Sequence, residues 1–98
     1  MLQSLVTPAE GGIASRVLAK NGGGSLTLFA FDTGQELTEH TTPCDALVMV
    51  LDGRLKLTIG GIPVEATPGT LVRMPANERH AVEALCPSRM LLLMLRDR

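Results

Sequence analysis

Apolar and polar residues alternate with a period of two along much of the chain. Ser25-Leu26-Thr27-Leu28-Phe29-Ala30-Phe31 and Arg54-Leu55-Lys56-Leu57-Thr58-Ile59 show the pattern most plainly. Successive side chains of a strand point to opposite faces, so each run predicts a half-buried strand. Two further runs, residues 46–51 and 90–95, are apolar throughout. The first is short, partly β-branched and bounded by Pro43 and Gly53, which predicts a strand rather than a helix. On pattern alone the second is open to reading as a buried helix or a strand. In a strand over 46–51, Ala46, Val48 and Val50 would fill the interior while Leu47, Met49 and Leu51 face out.

Turn residues punctuate these runs. Asn21-Gly22-Gly23-Gly24 predicts a loop before the strand at 25–31, and Asp32-Thr33-Gly34 a turn after it. A strand over 36–42 ends in Thr42-Pro43-Cys44-Asp45, because proline lacks an N–H and fixes φ. Gly60-Gly61 joins residues 54–59 to 62–66 as a two-residue hairpin, and Pro63 places the returning strand at an edge or a bulge. After Pro68-Gly69 comes a strand over 70–74 closed by Pro75. A turn over 76–78 leads to a strand over 80–85, and Cys86-Pro87-Ser88 turns the chain into its last apolar run. Residues 1–12 are a lead-in broken by Pro8 and Gly11-Gly12. Residues 13–18 are an extended segment that can pair with this sheet or with a partner's. Short strands with frequent turns and no amphipathic helix predict an all-β barrel or jelly roll, with residues 1–98 as a single domain.

Composition narrows the partners. The chain has 98 residues, 45% of them hydrophobic, with neither Trp nor Tyr, so apolar surface exceeds what one small core can hold. Net charge is −1 and the Lys and Arg residues are scattered, which excludes the basic footprint of a nucleic-acid binder. The near absence of aromatics excludes a stacking platform for single strands. No run of about 20 apolar residues and no basic leader is present, so no membrane association is expected and the compartment expected is cytoplasmic. Cys44 and Cys86 lack metal-type spacing and are expected to be free thiols.

Only two histidines occur, His40 and His80. Each lies on or beside a predicted strand, and residues so far apart meet only across a sheet or barrel. The spacings Gly34-x5-His40 and Gly69-x5-Pro75-x-Asn77-x2-His80 resemble the two halves of the cupin signature, and the resemblance spans residues 25–95. It implies a small double-stranded β-helix, in which 90–95 is a strand, with ligand positions at the open mouth. The first motif, G-x5-H-x-H-x3–4-E-x6-G counted back from Gly53, would place a second histidine at Thr42 and a glutamate at Ala46. In the second motif His80 matches, Ala84 replaces an asparagine, and Asn77 replaces the glycine after the proline. Of the four metal ligands of the family, His40 and His80 are kept.

What the pair does is open at this level. A divalent transition metal (Zn, Fe, Mn or Ni) held by His40 and His80 is one reading, and a metal-free pocket lined by two imidazoles is another. A catalytic zinc ordinarily takes three protein ligands, so Thr42 Oγ1, Cys44, water or substrate would have to complete the shell. Strand alternation brings Thr42 inward beside His40 and turns Glu39 to the opposite face. Glu36, Glu39, Asp45, Glu78 and Arg79 read as solvated rim charges. Arg73 interrupts an apolar strand and is expected to pair with a carboxylate.

Isomerase, lyase and dioxygenase chemistry all occur among cupins, and fold does not choose among them. The expectation is a barrel that binds a metal or small-molecule ligand, with enzymatic status open. The alternatives are a non-catalytic sensing module and a plain dimerisation unit. The excess of apolar surface predicts a homodimer.

Overall fold

In the computed structural model, residues 6–7 and 10–96 are described, so most of the expected lead-in lies outside the described residues. Among the described residues nine strands follow in order: β1 (Ile13–Asn21), β2 (Gly24–Phe31), β3 (Glu36–His40), β4 (Asp45–Asp52), β5 (Leu55–Ile59), β6 (Ile62–Ala66), β7 (Leu71–Met74), β8 (His80–Ala84) and β9 (Ser88–Leu95). They form two antiparallel sheets, one of order β1-β2-β9-β4-β7 and one of order β3-β8-β5-β6. Packed face to face, the two sheets make a jelly roll.

Local chemistry explains the boundaries. Gly60 and Gly61 sit at φ of 57° and 82°, the two positive angles that a tight type I′ turn requires, and they set Ile59 opposite Ile62. Pro63 lies in β6 at the sheet edge, where its missing N–H costs no ladder bond. Gly53, at φ 83°, allows no substitute, since a Cβ there would collide with the Ser88 hydroxyl and the Pro87 carbonyl. The expected loop at 21–24 is shorter in the structure, because β1 runs on to Asn21 and β2 begins at Gly24. Ser88, expected in a turn, instead opens β9. Its buried hydroxyl accepts from Arg54 N at 3.0 Å and donates to the Cys86 carbonyl at 2.7 Å.

The run at 90–95 is a strand. It lies between β2 and β4, with Leu93 opposite both Leu26 and Leu47. The expected alternation in β4 holds, with Ala46, Val48 and Val50 exposed by 2%, 0% and 1% while Met49 is 39% exposed. Between the sheets, Phe31, Leu55, Leu57, Val82 and Met90 complete the core. Full burial of such a side chain is worth about 1.5–3 kcal/mol. On the outer face of the larger sheet Val6 packs against Leu28 and Ala30. Arg89 ties that cover down, donating to the Val6 carbonyl at 2.9 Å and pairing with Asp52 at 3.1 Å. Among the described residues no helix is long and apolar enough to cross a membrane.

Candidate functional site

His40 ends β3 and His80 begins β8, and the two are direct partners in the β3–β8 ladder. Simple alternation does not give this. Leu37 faces inward opposite Val82, and an unbroken strand would then point residue 39 inward and residue 40 outward. A one-residue register shift between Leu37 and His40 inserts a bulge at Thr38-Glu39 and swings His40 back over the interior. Glu39 is left outside, 3.8 Å from Arg79 on the exposed rim.

The two rings meet edge to face with centroids 4.5 Å apart and planes at 68°. Each is held through the carbonyl of the residue two before it. His40 Nδ1 lies 2.7 Å from the Thr38 carbonyl, and His80 Nδ1 lies 3.2 Å from the Glu78 carbonyl. A carbonyl oxygen only accepts, so both Nδ1 atoms carry a proton, and in the neutral rings it is Nε2 that keeps the lone pair. His80 is buried and His40 exposed, so one imidazole forms the floor and the other the lip. Burial, with the nearby His40 second, lowers the His80 pKa below its ordinary value, against the Glu78 hydrogen bond, which raises it.

Both histidines line one small apolar cavity of about 40 Å³, walled by Leu37, Val82 and Leu92 and by Met74, Met90 and Met94. A water needs about 10–15 Å³ measured this way, so the cavity takes an ion or a few waters, and anything larger must rest at the mouth. Ala46 also lines it, flanked in register by Met74 on β7 and Met94 on β9.

Thr42 and Cys44 are not part of this lining. Because β3 stops at His40, Thr42 is not carried inward as alternation suggested. Its Oγ1 is bound within the turn, to the Cys44 carbonyl at 3.2 Å and the Cys44 N–H at 3.3 Å. Cys44 instead borders an outer groove with Pro43, Asn77 and Arg96. Arg73 pairs with Asp45 at 3.5 Å, as expected. Asp45 does more than a rim charge, since its Oδ1 also accepts from Ala76 N at 2.8 Å and pins the loop ahead of His80.

These residues do not fit a closed divalent site. Among the described residues no cluster of three or more His, Cys, Asp and Glu side chains surrounds any point. An imidazole binds a metal as a neutral donor, and among the described residues the cavity lining holds no carboxylate to offset a double charge.

The sequence profile of the cupin domain matches residues 27–95. A conserved protein of unknown function from Streptococcus pyogenes superposes with a TM-score of 0.95 at 31% identity, covering 100% of this chain and 86% of that one. A cupin 2 conserved barrel domain protein from Leptotrichia buccalis gives 0.92 at 36% identity, covering 96% of this chain and 46% of the other. A cupin superfamily protein from Desulfitobacterium hafniense gives 0.92 at 26% identity, covering 96% and 86%. No curated protein matches the chain.

Proposed function

This chain belongs to the cupin family, and on that premise we propose that it is a ligand-binding barrel whose His40 and His80 present two Nε2 lone pairs to one ligand at the mouth. The observation that carries this reading is the fixed tautomer of both rings. Each Nδ1 is held by the backbone carbonyl two residues before it, which leaves Nε2 as the atom on offer, the arrangement in which histidine serves as a ligand. The occupant is a transition-metal ion with open positions, or the polar end of a small molecule whose apolar remainder lies over Leu37 and Leu92.

Ring spacing is compatible with a shared ion. Imidazoles bonded at roughly 2.0–2.1 Å through nitrogen have their centroids about 3.2 Å from the metal. The observed 4.5 Å between centroids then corresponds to an angle near ~90° at the ion. With two protein donors, a divalent ion is held weakly and keeps water or ligand oxygens in its remaining positions. Without metal, the same lone pairs accept hydrogen bonds from a ligand.

Thermal-shift titration of the untagged protein with Zn(II), Ni(II) and Mn(II), and with a panel of small carboxylates and sugars, tests the reading. A stabilising ligand whose effect disappears in both His40→Ala and His80→Ala supports it. A ligand that stabilises both variants as well as the wild type contradicts it.

A further inference from the structure

Three of the five methionines in the chain, Met74, Met90 and Met94, line the small cavity shared by the two imidazoles. Register makes the concentration specific. Ala46 has Met74 as its partner on one side and Met94 on the other, so two long thioether side chains flank the position with the shortest side chain of that row. Paired residues on adjacent strands have Cβ atoms about 4.5–5.5 Å apart, within reach of a methionine sulfur. Among the described lining residues the groups that can donate electrons to an ion are therefore uncharged ligands: two imidazole nitrogens and up to three thioethers.

We propose that the cavity is a site for a soft monovalent ion, Cu(I) in the cell, bound by His40 and His80 through Nε2 and by the thioethers of Met74 and Met94. The inference rests on the ligand-binding reading of the two histidines and deepens it by naming the ion. Three considerations select a soft monocation over a divalent ion. Thioether sulfur is a soft, polarisable donor that favours Cu(I), whereas Mn(II), Fe(II) and Zn(II) look for carboxylate, imidazole or thiolate. The cost of placing an ion in an apolar medium grows with the square of its charge, so a dication without a carboxylate is about four times worse off than a monocation. And Cu(I) is satisfied by few donors and no water, which suits a cavity of about 40 Å³.

The alternative role for these methionines is gap-filling in the core, and Met74 and Met90 are indeed buried. Leucine separates the two roles, because a Met-to-Leu exchange conserves volume and usually costs less than about 1.5 kcal/mol in a core, while it deletes the sulfur.

Anaerobic competition of the wild type against a chromogenic Cu(I) chelator, with Ag(I) as a redox-inert check and Zn(II) measured in parallel, tests the proposal. The expected result is one Cu(I) per chain, bound at least about tenfold more tightly than Zn(II). In Met74→Leu/Met94→Leu the ratio of Cu(I) to Zn(II) affinity should fall by at least about tenfold. X-ray absorption of the Cu(I)-loaded wild type, which needs no variant to fold, should show sulfur near about 2.3 Å. A shell of nitrogen and oxygen alone, or a double variant with an unchanged ratio, overturns the proposal. Zn(II) bound more tightly than Cu(I), with loss in His40→Ala, overturns it while leaving the two-histidine reading standing. Binding of neither ion removes the ionic form of both.

Discussion

Asn77 donates its main-chain N–H to the Thr42 carbonyl at 2.7 Å from a left-handed backbone, φ 66°. The bond joins the turn after His40 to the turn before His80, so the two segments that deliver the imidazoles are clamped together. The left-handed region accepts Asn but penalises most L-residues, and this is the position where the cupin signature has glycine.

Replacing Asn77 therefore has opposite outcomes for two substitutions. Asn77→Gly keeps the conformation and should change stability by no more than about 0.5 kcal/mol. Asn77→Val forces a β-branched residue into the left-handed region and should cost about 1–2 kcal/mol in urea denaturation. It should also weaken whatever ligand the histidines hold. Equal stability of the two variants would mean that the turn relaxes to a negative φ.

Ala46 and Thr42, the two positions lacking ligands of the family pattern, differ in what they can accept. Ala46 lines the cavity while Thr42 is engaged in its turn. Ala46→Glu should tighten Zn(II) binding by at least about tenfold through a charged oxygen donor. It should also cost the metal-free protein about 1–3 kcal/mol through overpacking and carboxylate burial. Thr42→His should leave the Zn(II) affinity within about twofold, because that side chain starts outside the cavity. Isothermal titration of both variants checks this, and a gain from Thr42→His alone would mean that the turn opens to deliver residue 42 inward.

Metal-free protein should lose stability as pH falls through the histidine range. The His80 pKa lies below its ordinary value of 6.5 in the folded state. Between that lowered value and about 6.5 the unfolded chain therefore binds more protons, and stability rises with pH across the window. Below the folded pKa the contribution levels off, and above about pH 7 it is fully present. His80→Gln should flatten this slope in urea denaturation series run above about pH 5, where carboxylates contribute little. The same slope in variant and wild type would assign the dependence to another group.

The outer face of the larger sheet should be an interface between two copies of the chain. Leu26, Leu47, Met49, Leu71, Leu91 and Leu93 line a groove of about 160 Å³ there, with Leu71 57% and Met49 39% exposed. Among the described residues Val6 packs in the neighbouring cluster with Leu28 and Ala30, which Leu91 also joins. Monomers seldom expose apolar patches beyond a few hundred Å², and a second copy is the simplest cover. Sedimentation equilibrium at micromolar concentration should give a dimer mass, with Met49→Glu shifting it to monomer. A monomer mass for the wild type would mean that the chain itself covers this face.

Much of this architecture is legible in the residues because it depends on local chemistry. Gly60-Gly61 has one economical use between alternating strands, and the spacing of Gly34, His40, Pro75 and His80 carries the barrel. The inward set of Ala46, Val48 and Val50 follows from a period of two. Other features depend on register between distant strands, which no local pattern encodes. The bulge at Thr38-Glu39 breaks the alternation and so carries His40 inward, and the early end of β3 keeps Thr42 out of the site. Met74 and Met94 are 20 residues apart and become neighbours of Ala46 only through the β7-β4-β9 ladder. Asp45 and Ser88 look like ordinary turn residues in the sequence, yet each satisfies backbone N–H groups more than 30 residues away.

The most direct test of the two-histidine site is long-range nitrogen–proton NMR of the imidazoles in the metal-free protein at about pH 7.5, repeated during titration with Zn(II). Both rings are expected to carry their proton on Nδ1. Both unprotonated Nε2 resonances are expected to move together, with one stoichiometry, as the ion is added. Either ring protonated on Nε2, or one histidine shifting while the other stays still, would contradict a site built from His40 and His80 together.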